Sequence, residues 1–141
     1  MNRFQHNEEQ LNQLKLTIAE KNFLDEVTSF VLSNMTDGHL SVEAVADGLC
    51  IHEAKLRRRI LQITGLTPSN FLLTIRMRRA MTLLANYPAD SITQIALACG
   101  FADHSHFTHA FHRMFGISPS EYVRQMPVSK DQSFNVNTSQ I

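Results

Sequence analysis

The sequence predicts an all-α protein of about seven helices, in which two helix-turn-helix units are joined by a long connecting helix. Two observations support this fold class. Residues 41–72 recur as residues 91–123, and apolar side chains follow helical spacing along most of the chain. No stretch alternates apolar and polar residues as a half-buried strand does, and 141 residues suit one compact unit.

The repeat has an offset of fifty before its internal turn and fifty-one after it, because the second copy has one more residue in that turn. Matching polarity at so many aligned positions indicates a duplicated supersecondary unit. The matched pairs are Ser41 with Ser91, Val45 with Ile95, Ala46 with Ala96, Leu56 with Phe107, Ile60 with Phe111, Gly65 with Gly116, Pro68 with Pro119, and Phe71 with Tyr122.

The pattern divides the chain into three parts. Residues 1–22 are predicted to form a helical connector, residues 23–126 the folded domain, and residues 127–141 a disordered tail without periodicity. Residues 23–35 are predicted to be a helix because four apolar side chains share one face. They are Phe23, Val27, Phe30 and Val31.

The first helix of each unit has a recognisable start. The units lie at about 41–64 and 91–115, and Ser41 and Ser91 are N-cap candidates. Gln94 would complete a capping box with Ser91.

The second helix of each unit is expected at 52–64 and at 103–115. Asp103 is the predicted N-cap of the later one. Gly65 and Gly116 stand where the glycine that follows a helix is expected, so both helices should end there.

A long helix is predicted to connect the two units. Thr67 and Ser118 are expected to cap the helices that follow each unit, with Pro68 and Pro119 in their first turns. The helix that begins at Pro68 should reach about Asn86, a length of roughly 28 Å at 1.5 Å per residue.

Charge is distributed unevenly although the net charge is zero. Residues 1–51 carry three lysines and arginines against eight acids, whereas residues 52–124 carry nine against four, together with five of the seven histidines. A basic half beside an acidic half suggests a surface that binds a polyanion, and a solvated basic face is the alternative.

Several protein classes are disfavoured. No apolar run approaches the roughly 18 residues of a membrane span, and the N-terminus lacks the apolar core of a secretory signal. Cys50 and Cys99 are too few for a disulfide scaffold, and we interpret them as reduced core residues of a cytoplasmic protein.

The second helices of both units present equivalent outward faces at about 100° per residue. Small and basic side chains on such a face suit the DNA major groove, which admits a helix. The inward positions are Leu56, Ile60 and Ile63 in the first unit and Phe107, Phe111 and Met114 in the second. The outward positions are Ala54, Arg57, Arg58 and Leu61, then Ser105, Thr108, His109 and His112.

The span from about Leu40 to Gln125 resembles the C-terminal DNA-binding domain of the AraC/XylS family of bacterial transcription regulators. The stretch "ADHSHFTHAFHRMFGISPSEY" resembles the family signature, with F-x-x-x-F followed by F-G-x-S-P-x-x-Y. "ITGLTPSNFL" and "IRMRRAMTLL" match the end of the first unit and the connecting helix. The resemblance implies seven helices and sequence-specific binding at two successive major-groove segments of double-stranded DNA.

The resemblance also implies which side chains read bases. By position these are Ala54, Arg57, Arg58, His104, Ser105, Thr108 and His109. His109 departs from common members, which often have arginine there. Lys55, Arg59 and His112 complete the candidate DNA-binding set, and Arg59 is expected to contact phosphate or form an internal salt bridge.

Four histidines, His104, His106, His109 and His112, fall within nine positions. Two of them could share a metal ion, but no carboxylate or cysteine supplies further ligands on that face, so no metal or cofactor is expected. No nucleophile with an orienting acid shares the motif, so no enzymatic activity is expected. We predict that His109, with His104, faces DNA, and that His106 packs like an aromatic residue.

The remaining expectations concern the long helix and the partners. Among Arg76, Arg78 and Arg79, at least one is expected to be an internal strut and the others to meet phosphate. We expect the C-terminal output domain of a larger cytoplasmic regulator, with a stand-alone regulator or a basic protein-interaction module as alternatives. RNA polymerase is a candidate partner, no membrane contact is expected, and any dimerisation would use regions in front of this domain.

Overall fold

The computed structural model describes residues 1–37, 40–87 and 91–126. Within these residues the chain forms eight helices and no strand, which confirms the all-α prediction with one helix more than the approximate count of seven. The predicted disordered tail at 127–141 lies outside the described residues. The helices are α1 (Arg3–Asn12), α2 (Ile18–Ser33), α3 (Val42–Gly48), α4 (Glu53–Thr64), α5 (Pro68–Asn86), α6 (Ile92–Ala98), α7 (His104–Phe115) and α8 (Pro119–Gln125).

The N-terminal region contains two separate capped helices. Asn2 and Gln5 form a reciprocal capping box at the start of α1. Thr17 and Glu20 form another, with bonds of 3.0 and 3.1 Å, and for this reason α2 begins at Ile18, five residues before the predicted start.

The predicted caps of the two units are present. The hydroxyls of Ser41 and Ser91 accept the backbone N–H groups of Ala44 and Gln94. The Gln94 side chain makes no return bond to the Ser91 backbone within the part of the chain that the structure describes, so only half of the predicted capping box forms.

The second helices, α4 and α7, each contain twelve residues and begin one residue after the predicted starts. The carboxylate of Asp103 caps α7 by accepting the N–H of His106 at 2.8 Å. Gly65 and Gly116 follow the two helices in the left-handed conformation, as predicted.

The connecting helix α5 spans Pro68–Asn86, as predicted, and contains nineteen residues. It packs against α1, α2, α3, α4 and α6, and Met77 and Ala80 near its middle are completely buried. The helix therefore forms the centre of the fold, in contact with both helices of the first unit and with α6 of the second.

The cores of the two units differ in chemistry. The second unit contains a chain of five aromatic rings whose successive centroids lie 4.2–5.9 Å apart. The equivalent positions of the first unit are mostly aliphatic. The aromatic set is Phe101, Phe107, Phe111, Phe115 and Tyr122, and its counterparts are Ile51, Leu56, Ile60, Thr64 and Phe71.

The turns inside the two units also differ. Cys50 and Gly100 occupy equivalent positions, and both have positive φ, 59° and 86°. A Cβ on Gly100 would lie 2.3 Å from the carbonyl oxygen of Met35, so only glycine fits there. Cys50 is exposed, which corrects the prediction that it is a core residue: at the corresponding turn its side chain is directed into solvent.

Cys99 is the buried cysteine, as predicted. It is completely inaccessible, and burial raises the pKa of its thiol to about 11. The thiol therefore remains protonated at neutral pH.

Candidate nucleic-acid interface

The outward face of α4 is exposed at all four predicted positions, Ala54, Arg57, Arg58 and Leu61. Leu61 retains 51% of its surface. Arg58 has no hydrogen bond or ion pair to any residue that the structure describes, so its guanidinium is available for an external acceptor.

Arg57 is oriented by an acid one helical turn earlier. Its Nε donates to Oε2 of Glu53 at 2.6 Å, and both side chains are more than one third exposed. An exposed pair at this spacing contributes only about 0.3–0.5 kcal/mol to stability. The pair keeps the guanidinium beside Glu53 and offsets one positive charge on the outward face.

The outward face of α7 carries imidazoles and hydroxyls in place of arginines. Ser105, His109 and His112 are exposed, and Thr108 is half-buried. Nδ1 of His104 lies 3.4 Å from Oγ1 of Thr108, at the long end of hydrogen-bonding range.

The same two positions interact in both units. With the offset of fifty-one, Glu53 corresponds to His104 and Arg57 corresponds to Thr108. In each unit, the first residue of the outward-facing helix therefore approaches the side chain four residues later, as an ion pair at 2.6 Å in α4 and as a contact of 3.4 Å in α7. Glu53 was not among the residues predicted to contribute to the interface, although an acid four residues before an arginine on a helix indicates an ion pair.

His106 is directed away from this face. Its ring meets Phe101 edge to face, with the centroids 5.5 Å apart. The contact agrees with the aromatic-like part of the prediction, but His106 is exposed and not half-buried, because its ring meets only the edge of the core.

Arg59 lies on the inner flank of α4. Its guanidinium is positioned over the ring of Phe23, 4.6 Å from the centroid, and its Nε is buried without a hydrogen-bond partner within the described ranges. A cleft of about 190 Å³ lies beside it and is also lined by Glu26 and the exposed Lys55. The predicted internal role of Arg59 thus involves an aromatic ring and not a carboxylate.

The arginines of α5 have different environments. Arg76 is the predicted internal strut: its Nη2 donates to the carbonyl of Leu40, and burial lowers the pKa of its guanidinium. Arg78 forms a two-bond pair with Glu8 at 2.8 and 3.0 Å, while Arg79 is exposed.

No group of three or more histidine, cysteine, aspartate or glutamate side chains is arranged to hold a metal ion in 1–37, 40–87 or 91–126. None of the helices in those ranges is both long enough and apolar enough to span a membrane.

Comparisons with known proteins identify the family of this domain. Residues 45–125 match a family described as a helix-turn-helix domain. The chain is 45% identical over 86 residues to the transcriptional activator RhaS of Escherichia fergusonii, a match that covers 61% of this chain and 30% of RhaS. The chain spans about a third of the length of such RhaS relatives.

Two solved structures share the fold. One is a transcriptional regulator of Chromobacterium violaceum, described as containing an AraC-type DNA-binding domain, with a TM-score of 0.65 and 32% identity over 77% of this chain and 96% of that one. The other is the DNA-binding domain of the transcriptional factor AdpA in complex with a target DNA, with a TM-score of 0.63 and 25% identity over 84% of this chain and 97% of that one.

The family is one of transcription regulators, not of enzymes. The chain belongs to the AraC/XylS family of DNA-binding transcription regulators and comprises a DNA-binding domain of that type.

Proposed function

We propose that this domain reads DNA by inserting α4 and α7 into two successive major-groove segments on one face of the duplex. The observation that supports this most strongly is the equivalence of the two exposed helix faces, which occupy the same positions of a duplicated unit. The similar AdpA domain was solved in complex with a target DNA, which supports DNA binding by this fold.

The two helices are proposed to contribute unequally. Arg58 has no competing partner among the residues described, and an arginine can form a bidentate pair with guanine O6 and N7. Arg57, held by Glu53, and Ala54 complete the first reading face. Lys55 contacts phosphate in this arrangement, whereas Arg59 remains on Phe23.

The second reading face relies on weaker hydrogen-bonding groups. Ser105, Thr108 and His109 contact base edges, and His104 and His112 lie toward the phosphates. Hydroxyls and imidazoles make single bonds to bases, which discriminate less than a bidentate pair. We therefore assign most of the sequence specificity to α4.

At the level of the whole protein, we propose that DNA binding regulates transcription in the bacterial cytoplasm. RhaS, which resembles this chain, is a transcriptional activator. Contact with RNA polymerase, and dimerisation through regions outside this domain, are parts of the same proposal.

The test is a binding-site selection from random duplexes, followed by a salt series on the selected site. We expect a preferred site that spans two major-groove segments, and an affinity that falls steeply with salt because several phosphates are neutralised. Failure to enrich any sequence would reject the proposal and favour the alternative, a basic helical module that binds another protein.

A further inference from the structure

We propose that α1 is a positioning element for DNA binding, because it holds the C-terminal ends of both reading helices and so fixes the spacing between the two reading faces. The inference rests on the proposed docking of α4 and α7. It assigns α1 a specific role in DNA recognition, through contacts that lie away from the reading faces.

The contact with α4 is polar. Nε2 of Gln10 donates to the backbone carbonyl of Thr64, the last residue of α4, at 2.8 Å. This carbonyl is one of those that a helix leaves without an internal partner at its end. A Cβ on the next residue, Gly65, would lie 2.6 Å from the same nitrogen, so the amide fits closely against a bare glycine.

The contact with α7 is aromatic. The ring centroids of Phe4 and Phe115, the last residue of α7, lie 5.0 Å apart. Phe4 is almost fully buried. Phe115 in turn stacks on Phe111 at 4.2 Å, so that Phe4 extends the aromatic core of the second unit.

The two contacts are made to equivalent residues, because Thr64 and Phe115 correspond at the offset of fifty-one. One ten-residue helix thus touches the same position of both copies of the repeat. Neither contact involves the outward faces of α4 or α7, so both surfaces remain available for DNA.

The central helix α5 keeps α1 in register. Asn7 is 2% exposed, and its side-chain amide donates to the side-chain oxygens of Asn70 and Thr74, both at 3.2 Å. A buried amide with two specific acceptors disfavours sliding of the helix, since any shift would leave polar atoms unpaired. The pair between Glu8 and Arg78 adds a second anchor.

The mechanical consequence concerns the second docking event. After one unit has bound, binding of the second unit is intramolecular and has an effective concentration. That concentration is higher when the second reading helix occupies a narrow range of positions relative to the first. Because α1 contacts the C-terminal ends of both α4 and α7, it should restrict this range of positions. Loss of the α1 contacts should therefore weaken binding to a two-segment site and leave binding to a single segment unchanged.

The experiment uses the full 141-residue chain and two duplexes taken from the selection, one with both segments and one with the α7 segment scrambled. We expect Gln10→Ala to reduce the ratio of the two affinities by about 3- to 10-fold, the range for loss of one hydrogen bond, and Phe4→Leu to act in the same direction. Glu9→Ala, at an exposed position of the same helix, is the matched control and should leave the ratio unchanged.

A second measurement does not require DNA. Spin labels on the exposed Cys50 and on an Arg113→Cys substitution report the distance between the two units. We expect Gln10→Ala to broaden the distance distribution, with Glu9→Ala as the unchanged control.

The outcomes separate the two proposals. Wild-type affinities that are equal for the two duplexes would overturn two-segment docking, and this inference with it. A wild-type preference for the two-segment duplex that survives Gln10→Ala and Phe4→Leu, or a distance distribution that does not change, would overturn the positioning role alone.

Discussion

The two helix-turn-helix units have the same helical arrangement but differ in the chemistry of their interiors and of their outward faces. The first unit has an aliphatic interior and arginines on its outward face, whereas the second has an aromatic interior with hydroxyls and imidazoles outside. Serine caps, left-handed glycines and the polarity pattern are common to both. These shared features suffice to define the unit, which leaves the outward residues free to diverge in binding chemistry.

The largest expected effect concerns the turn that the two units build differently. Gly100→Ala should destabilise the fold by about 2–5 kcal/mol, through the strain of positive φ and the clash with the Met35 carbonyl. Cys50→Gly, at the equivalent position, should change stability by no more than about 1 kcal/mol, because relief of strain is offset by a more flexible unfolded chain.

Urea denaturation of both variants checks this contrast. Equal destabilisation by the two substitutions would mean that the turns are interchangeable and that the Met35 contact has no energetic role.

The next effect concerns the outward faces. Arg58→Ala should weaken binding to the selected site by about 1–3 kcal/mol and relax specificity at one base pair, because a bidentate contact is lost. Ser105→Ala should cost less, since a hydroxyl contributes a single bond. Fluorescence anisotropy on the selected duplex measures both, and equal losses would contradict the inequality of the two units.

The histidines should make the second unit sensitive to pH. Phosphates favour the protonated imidazole, so binding takes up protons and affinity should rise as the pH falls from about 8 to about 6. The gain is limited to about tenfold per pH unit for each proton taken up. His104→Gln and His112→Gln, which remove the two imidazoles assigned to the phosphates, should each reduce the slope, whereas Arg58→Ala should leave it unchanged.

Titrations at the two pH values with a chelator present check this prediction and exclude bound metal as the cause. A metal held by the same imidazoles would give the opposite sign, because acid releases metal from histidine. Wild-type affinity that does not vary with pH would place these histidines away from DNA.

The smallest expected effect concerns Glu53. Glu53→Gln should change stability by about 0.5 kcal/mol or less, as is typical of an exposed ion pair. Binding to random DNA should strengthen and its salt dependence should increase by about one phosphate contact, because Arg57 is no longer neutralised. The ratio of the affinities for the selected and random duplexes should fall, because Arg57 is no longer held in place by Glu53. An unchanged ratio would mean that Glu53 does not position Arg57 for base reading.

Much of the fold could be predicted from local signals. The ends of α5 and the ends of α4 and α7 were predicted to within one residue, because prolines, caps and glycines mark them. The start of α2 was missed although Thr17 and Glu20 carry a capping-box pattern. The exposure of Cys50 was also missed, since its backbone conformation is usually adopted by glycine.

The contacts of α1 could not be predicted from the sequence. Gln10 lies 54 residues from Thr64, and Asn7 lies 67 residues from Thr74. Helical periodicity identifies which face of a helix is buried but not which distant residues meet it. For the interface, helical spacing identified the outward positions, which are exposed except for the half-buried Thr108. The ion pair of Arg57 with Glu53 and the packing of Arg59 on Phe23 became visible only in the structure.

The central claim is that two unequal units dock on one face of the same duplex. The most direct measurement compares the affinity for the selected site with that for the same site carrying five additional base pairs between its two segments. Half a helical turn moves the second segment to the opposite face, which α5, roughly 28 Å long, cannot reach. We predict that affinity falls to the value for a duplex with the α4 segment alone, and an affinity unchanged by the insertion would show that a single unit reads the DNA.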